Sequence, residues 1–317
     1  MEALDGGQCV ALVMLDLSAA FDVIDHNILT HRLEFTYGIS GTALQWFRSY
    51  LSERRQRVRI ESQTSSKLEL ECGVPQGSVL GPLLYTMYSK PIGEICRRHN
   101  MLYHCYADDT QIYLSVKRPN TVRHAVRCIE ACLADIKSWM KSNMLKLNDQ
   151  KTEFAIFSTR QLRDIPNISI GSHSISPSSM VRNLGIIMDR RLTMVNQVHQ
   201  VVKVCNFHIR LIGKIRKYLT EESCLALTLS LVISRLDYGN SLLHGIAVRQ
   251  ITRLQRCQNT AARLVCQVRR REHITPTLMY LHWLPVSYRV MFKVLIFAFK
   301  ALHGLGPKYL QKLVIPH

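Results

Sequence analysis

No apolar run in this 317-residue chain approaches the 18 or so residues of a membrane-spanning helix, and its N-terminus lacks the basic-then-apolar pattern of a signal peptide. A membrane partner is therefore not expected. Cys-x-x-Cys pairs are also missing: the ten cysteines are scattered through apolar segments, and Cys128 and Cys132, four apart, have no matching Cys/His pair at ligand spacing. That argues against a structural zinc site and for reduced thiols rather than a disulfide framework. There is no low-complexity linker and no internal repeat. Acid is scarce: 23 Asp plus Glu face 41 Lys plus Arg, a formal net charge of +18. Such an excess favours a polyanion, either nucleic acid or an anionic membrane surface, and the lack of a span and of a signal peptide favours nucleic acid. What the chain does have is 47% hydrophobic residues, enough for the core of one large domain or two ordinary ones.

The first apolar run, Cys9 to Leu15, is continuous, the pattern of a strand covered on both faces, and it ends on Asp16. An acid that terminates a buried strand is positioned by that strand. Asp22 and Asp25 read as a turn acid and a helix cap, with a helical pattern through Ile28 and Leu33 that stops at Gly38. Thr42 to Leu51 places Leu44, Phe47 and Leu51 on one helical face. Beyond it Arg54, Arg55, Arg57 and Arg59 crowd a short strand with Val58 and Ile60 on the other side, and Leu68 and Leu70 are expected inward. Those guanidiniums are either a solvated face or phosphate contacts. The loop Gly73-Val74-Pro75-Gln76-Gly77-Ser78 is a helix-entry turn or a backbone that approaches a ligand, with Gln76 offering donor and acceptor. A helix from about Leu80 follows, expected to be interrupted at Pro91 and Gly93.

Met101 to Cys105 and Gln111 to Val116 have strand character and read as a hairpin with Tyr106-Ala107-Asp108-Asp109 at its tip. Adjacent acids so held repel one another, by roughly 1 kcal/mol at 4 Å in bulk water and more where water is excluded. A plain polar turn is the other reading. Val126, Ile129, Leu133, Ile136 and Met140 then mark an amphipathic helix, and Lys151 precedes a strand at Phe154 to Phe157. A strand pair is expected from Ile168–Ile175 and Leu184–Met188, and from Met194 onward the patterns are helical and basic. The expected division is a mixed module over residues 1–190 and a helical one over residues 191–317.

Asp16, Asp108 and Asp109 at neighbouring strand ends would make an all-oxygen site, which suits Mg²⁺ at about 2.1 Å better than zinc. Two such ions about 4 Å apart activate an attacking hydroxyl and stabilise a leaving phosphate oxygen, which points to nucleotidyl transfer.

In order and separation, Asp16-x-x-x-x-Phe21, Gly73-x-Pro-Gln76-Gly77, Tyr106-Ala107-Asp108-Asp109 and Lys151 resemble palm motifs A to D of reverse transcriptases, and Leu184-Gly185 resembles their primer-grip segment. The wording from Leu15 to Asp22 and from Leu281 to Val286 is similar to non-LTR retrotransposons of the CR1/L2 (LINE) type. The resemblance implies an α+β fold: a palm of antiparallel sheet with packed helices and partial fingers, followed by an all-α thumb-like domain. It implies an RNA-directed DNA polymerase of a retrotransposon, working with two Mg²⁺ ions (or Mn²⁺) on a deoxynucleotide, an RNA template and a DNA primer or RNA–DNA hybrid. An intracellular ribonucleoprotein in nucleus and cytoplasm comes with it.

Residue by residue, Asp16 and Asp108 would bind both metals, Asp109 would assist, and the Leu17 carbonyl would be a further ligand. Phe21 would be a steric gate under the sugar or simply core, Gln76 and Gly77 with Tyr106 would line the substrate site, and Lys151 would protonate pyrophosphate or be only a surface lysine. Motif A begins within the first twenty residues. The expectation is thus a chain truncated before motif A, without the upstream fingers strands and endonuclease of such elements and with impaired activity. The alternatives are an inactive nucleic-acid-binding remnant and an RNA-templated RNA polymerase palm, which Phe21 disfavours.

Overall fold

The computed structural model describes residues 2–117, 121–160, 162 and 164–314. Helix α1 (Glu2–Asp5) precedes β1 (Cys9–Leu15), β2 (Leu17–Ser18), α2 (His26–Phe35) and α3 (Gly41–Leu51). Four two-residue strands follow, β3 (Arg55–Gln56), β4 (Arg59–Ile60), β5 (Gln63–Thr64) and β6 (Leu68–Glu69), and then α4 (Gly81–Arg98). Next come β7 (Leu102–Tyr106), β8 (Asp109–Val116), α5 (Val122–Ser142), β9 (Lys146–Leu147), β10 (Glu153–Phe157), β11 (Ile168–Ile170) and β12 (His173–Ile175). These make the first of two compact units, which ends at Val181.

β1 lies inside a four-stranded antiparallel sheet of order β10-β1-β8-β7. Its odd-numbered residues Cys9, Ala11, Val13 and Leu15 are fully buried, whereas Val10 and Met14 are only half-buried. The second face is thus covered less than the unbroken apolar run predicts. The reason is one-sided packing: α5 lies on β1 and β8, and α4 on β7 and α5. The expected stripe Val126, Ile129, Leu133, Ile136 and Met140 is the buried face of α5. At α2 the Asp25 carboxylate accepts from the Ile28 amide at 2.9 Å, as a helix cap should.

Pro91 and Gly93 do not interrupt α4, which runs unbroken through both. Proline at 91 removes the amide that would bond to the Met87 carbonyl, and the Tyr37 hydroxyl donates to that carbonyl instead, at 3.2 Å. Gly93 is where the Tyr103 ring crosses the helix; a Cβ there would lie 2.4 Å from the ring.

β3 pairs with β6 and β4 with β5, giving one hairpin arm. Of the two leucines expected inward, Leu68 is 62% exposed and Leu70 is half-buried, and Val58 and Ile60, on the side away from the arginines, are 64% and 70% exposed. A two-stranded ribbon has no third layer to bury a face against.

The second unit runs from Arg182, so the boundary falls inside β13 (Met180–Asn183), which pairs with β14 (Ile186–Asp189). The sequence division after residue 190 lies later because Ile186 belongs to the core of the second unit. The expected single strand pair is instead two local hairpins, β11-β12 and β13-β14. Helices α6 (Val195–Ile215), α7 (Glu221–Thr228), α8 (Ser234–Asp237), α9 (Val248–Cys266), α10 (Thr275–Tyr280), α11 (Val286–Leu302) and α12 (Lys308–Gln311) follow. The apolar run Leu225 to Leu236 is helical throughout but contains a π turn, Leu229–Ile233, between α7 and α8. Arg216 is not a free basic residue: its guanidinium donates to the carbonyls of Leu264, Val265 and Leu219 at 2.7–2.9 Å, closing the end of α9. The Leu281–Val286 stretch leads into α11, with Trp283 buried and its C-terminal end held by α9: Gln258 donates to the Leu284 carbonyl and the Val286 amide donates to Gln255.

Candidate active site

Tyr106 pairs with Asp109, which leaves only Ala107 and Asp108 in the turn between β7 and β8. Ala107 has φ 52, a left-handed conformation costing about 1 kcal/mol for a residue with a Cβ. Of the two acids, then, Asp108 is at the tip and Asp109 is already in the ladder. β1 and β8 are in register as far as Leu15 opposite Thr110, so Asp16 leaves the end of β1 beside the start of β8, where Asp109 begins that strand. The Asp16 carbonyl is held by the Asn148 amide at 2.9 Å.

Asp109 registers this crowding. Its carboxyl is raised above the usual carboxylate range, first by burial, then by Asp108 and then by Asp16. Lys151 Nζ lies 3.9 Å from Asp16 Oδ2 with its side chain 71% exposed. Among the described residues no three His, Cys, Asp or Glu side chains are grouped closely enough to hold a metal ion by themselves. The carboxylates as placed form an open edge rather than a closed cage.

The turn after β1 and the glycine loop before α4 are tied together by backbone. The Asp22 amide donates to the Ala19 carbonyl, the Gly73 amide to Ile24 and the Val74 amide to Phe21, all at 2.8–2.9 Å. Gly73 has φ 84, and a Cβ there would lie 2.7 Å from the Asp22 carbonyl oxygen, so both conformation and space demand glycine. The Gly73 carbonyl accepts from Arg54 at 2.6 Å and lies 2.8 Å from His26 Nε2. Arg54 is therefore a strut of this loop and not part of a phosphate-contacting strand face. Gly77 has φ 77 with open space around it, so its need for glycine is conformational alone.

Gln76 Nε2 donates to both carboxylate oxygens of Asp22, at 2.8 and 3.0 Å. Asp22 was legible only as a turn acid; its partner is 54 residues away, and nothing local announces it. The two segments and the hairpin tip enclose a cleft of about 440 Å³ lined by Ala20, Phe21, Gln76, Gly77, Ser78 and Asp108 among others. Phe21 is both wall and packing element: it borders this cleft and its ring lies 4.9 Å from that of Tyr85 in α4. Tyr85 is fully buried. Burial above all pushes its phenol up, and the Asp108 carboxylate adds to that.

Leu17 faces Leu147 across β2 and β9. Since the Asp16 carbonyl takes the Asn148 amide, alternation makes Leu17 and Leu147 a non-hydrogen-bonded pair, and the Leu17 carbonyl points away from β9. Tyr106 is exposed and stands outside the residues lining the cleft. Of the residues predicted from sequence, the fold thus brings Phe21, Gln76, Gly77 and Asp108 to one cleft, and Asp16, Asp109 and Lys151 to the adjacent sheet edge. In the second unit Leu184-Gly185 forms the β13-β14 turn, and the Tyr238 hydroxyl donates to the Leu184 carbonyl at 2.6 Å.

Residues 2–188 match the family model described as reverse transcriptase (RNA-dependent DNA polymerase). Similar curated proteins are the probable RNA-directed DNA polymerases of transposon BS (27% identity over 281 residues) and transposon X-element (28% over 276), both from Drosophila melanogaster. Each alignment covers 84% of this chain but only 30% and 29% of the relative, so the chain spans less than a third of their length. The RNA-directed DNA polymerase of the mobile element jockey, from the same organism, is 26% identical over 207 residues, 63% of this chain and 22% of that one. Among solved structures, apo telomerase of Candida tropicalis truncated from its C-terminal domain is similar at 13% identity and a TM-score of 0.41, covering 59% of this chain and 35% of that chain. No described helix is long and apolar enough to cross a membrane.

Proposed function

This chain belongs to the reverse transcriptase family, and from that premise we propose that its first unit is the palm of an RNA-directed DNA polymerase, which transfers deoxynucleotides to a primer 3′-hydroxyl on an RNA template. The second unit serves as its thumb-like partner on the duplex, and the exposed arm β3-β6 belongs to the fingers. The observation that carries this reading is the single cleft shared by Phe21, Gln76, Gly77 and Asp108, beside a sheet edge where the Asp16 and Asp108 charges act on Asp109.

The family uses divalent cations, and we assign magnesium, with manganese able to replace it. The donor set fits: carboxylate oxygens are hard ligands, and of the causes that raise Asp109, burial first and then the charges of Asp108 and Asp16, a dication relieves the charge repulsion. Asp16 and Asp108 would hold the ions with Asp109 assisting and the Leu17 carbonyl as an additional oxygen. When bound, such ions supply Lewis-acid activation of the attacking hydroxyl and neutralise charge on the departing pyrophosphate. The chain's own residues do the rest. Phe21 presents an apolar ring under the nucleotide sugar, which leaves no hydrogen-bond partner and no room for a 2′-hydroxyl. Gln76, its donor spent on Asp22, offers its remaining oxygen to the cleft, and Gly77 keeps that wall clear of side chain. Lys151 stands beside Asp16, placed to give a proton to the leaving group.

Primer extension on poly(rA)/oligo(dT) tests the proposal. Asp108→Ala should lower extension by at least about a hundredfold while duplex binding stays near wild type; a mutant that extends as well as wild type removes the site assignment. The +18 charge favours one other reading, a nucleic-acid binder that does not polymerise. Binding that weakens steeply with salt but no extension under any metal would select it.

A further inference from the structure

We infer that Tyr85 is a positioning residue of the nucleotide cleft, holding the Phe21 ring at the angle from which it discriminates between sugars. The inference rests on the reading of Phe21 as the residue beneath the sugar. Phe21 is only partly buried and comes from a turn rather than from a helix or strand, so the turn alone does not fix its ring. Tyr85 does, from behind: it sits on the long helix α4, has no solvent exposure, and lies ring to ring with Phe21 at 4.9 Å and 35°. A ring held against a buried aromatic has one place to be, and a gate that works by shape is only as selective as that place is fixed.

A second observation lets the test separate the Tyr85 ring from its hydroxyl. The Tyr85 hydroxyl is buried and has no hydrogen-bond partner among the described residues. Tyr85→Phe therefore deletes no hydrogen bond and keeps the ring, whereas Tyr85→Leu deletes the ring itself.

The test compares the full chain with both variants for incorporation of dTTP against UTP on poly(rA)/oligo(dT), and adds ¹⁹F NMR of 4-fluorophenylalanine placed at position 21. Tyr85→Leu should lower the dTTP/UTP ratio of kcat/KM by about tenfold or more and broaden or split the position-21 resonance. Tyr85→Phe should leave both near wild type. In a Phe21→Ala background, Tyr85→Leu should lower the ratio no further, because the two residues act as one. If Tyr85→Leu does not fold by circular dichroism, Tyr85→Met fills the space without a ring and takes its place. An unchanged position-21 resonance in the ringless variant overturns the inference, as does an equal loss of discrimination in Tyr85→Phe. A wild-type chain that extends no primer overturns the polymerase reading instead, and the fluorine signal then decides on Tyr85 alone.

Discussion

Gln76 gives its amide hydrogens to both oxygens of Asp22, across 54 residues of chain. This fixes which end of the amide faces the cleft, since only nitrogen can face a carboxylate. Asp22→Ala frees the amide to rotate. The expected result is a KM for the deoxynucleotide raised about fivefold, about 1 kcal/mol of positioning at an exposed hydrogen bond, with a smaller change in kcat. Steady-state extension measures it, and an unchanged KM would show that Gln76 is held by other contacts.

Asp109 makes stability depend on pH in the direction opposite to a salt-bridged acid. Its carboxyl is raised by burial and by Asp108 and Asp16, so the folded chain holds a proton that the unfolded chain has lost. Stability therefore falls as pH rises from the ordinary carboxylate range, near 3.8, through the higher folded value. Asp109→Asn should raise Tm at pH 7, with the gain shrinking toward pH 4. Millimolar Mg²⁺ should raise the Tm of wild type more than that of Asp109→Asn. A gain equal at both pH values would mean that charge is not the cause.

Tyr37 and Pro91 act on the same carbonyl. With Pro91 unable to donate to Met87, Tyr37→Phe leaves that carbonyl unpaired and should cost about 1 kcal/mol in urea unfolding. In a Pro91→Ala background, where residue 91 regains its amide, the same substitution should cost much less. Equal costs in both backgrounds would disprove the substitution of one donor for the other.

Gly93→Ala tests a sign. Glycine to alanine inside a helix usually stabilises by about 1 kcal/mol. Here the new Cβ would lie 2.4 Å from the Tyr103 ring, and overpacking of that kind costs about 1–3 kcal/mol. Destabilisation is expected, and Tyr103→Ala in the same chain should restore the ordinary helix benefit. Thermal melts of the single and double variants decide.

Much of the first unit was legible in the sequence because its signals are local. The run Cys9–Leu15 is β1 to the residue, the three-and-four spacing after Val122 is α5, and the Asp25 cap sits where an acid before a helical pattern should. What misled were local breakers with distant remedies. Pro91 and Gly93 look like a helix end until Tyr37 and Tyr103 are seen, and Leu68 looks inward-facing until its strand proves to be part of a two-stranded ribbon that leaves it exposed.

The sequence by itself determined the chemistry available to this protein: the order of its acids and glycines, its basic excess and its membership of a polymerase family, all of which are properties of residue type and spacing. Only the tertiary structure decided which groups meet. Pairing of β1 with β8 brought the Asp16 charge to bear on Asp109, the Gly73 approach brought Gln76 onto Asp22, and α4 set Tyr85 behind Phe21. The physical reason is that each of these is a contact between segments tens of residues apart, fixed by shared packing and backbone pairing, and no local propensity encodes it.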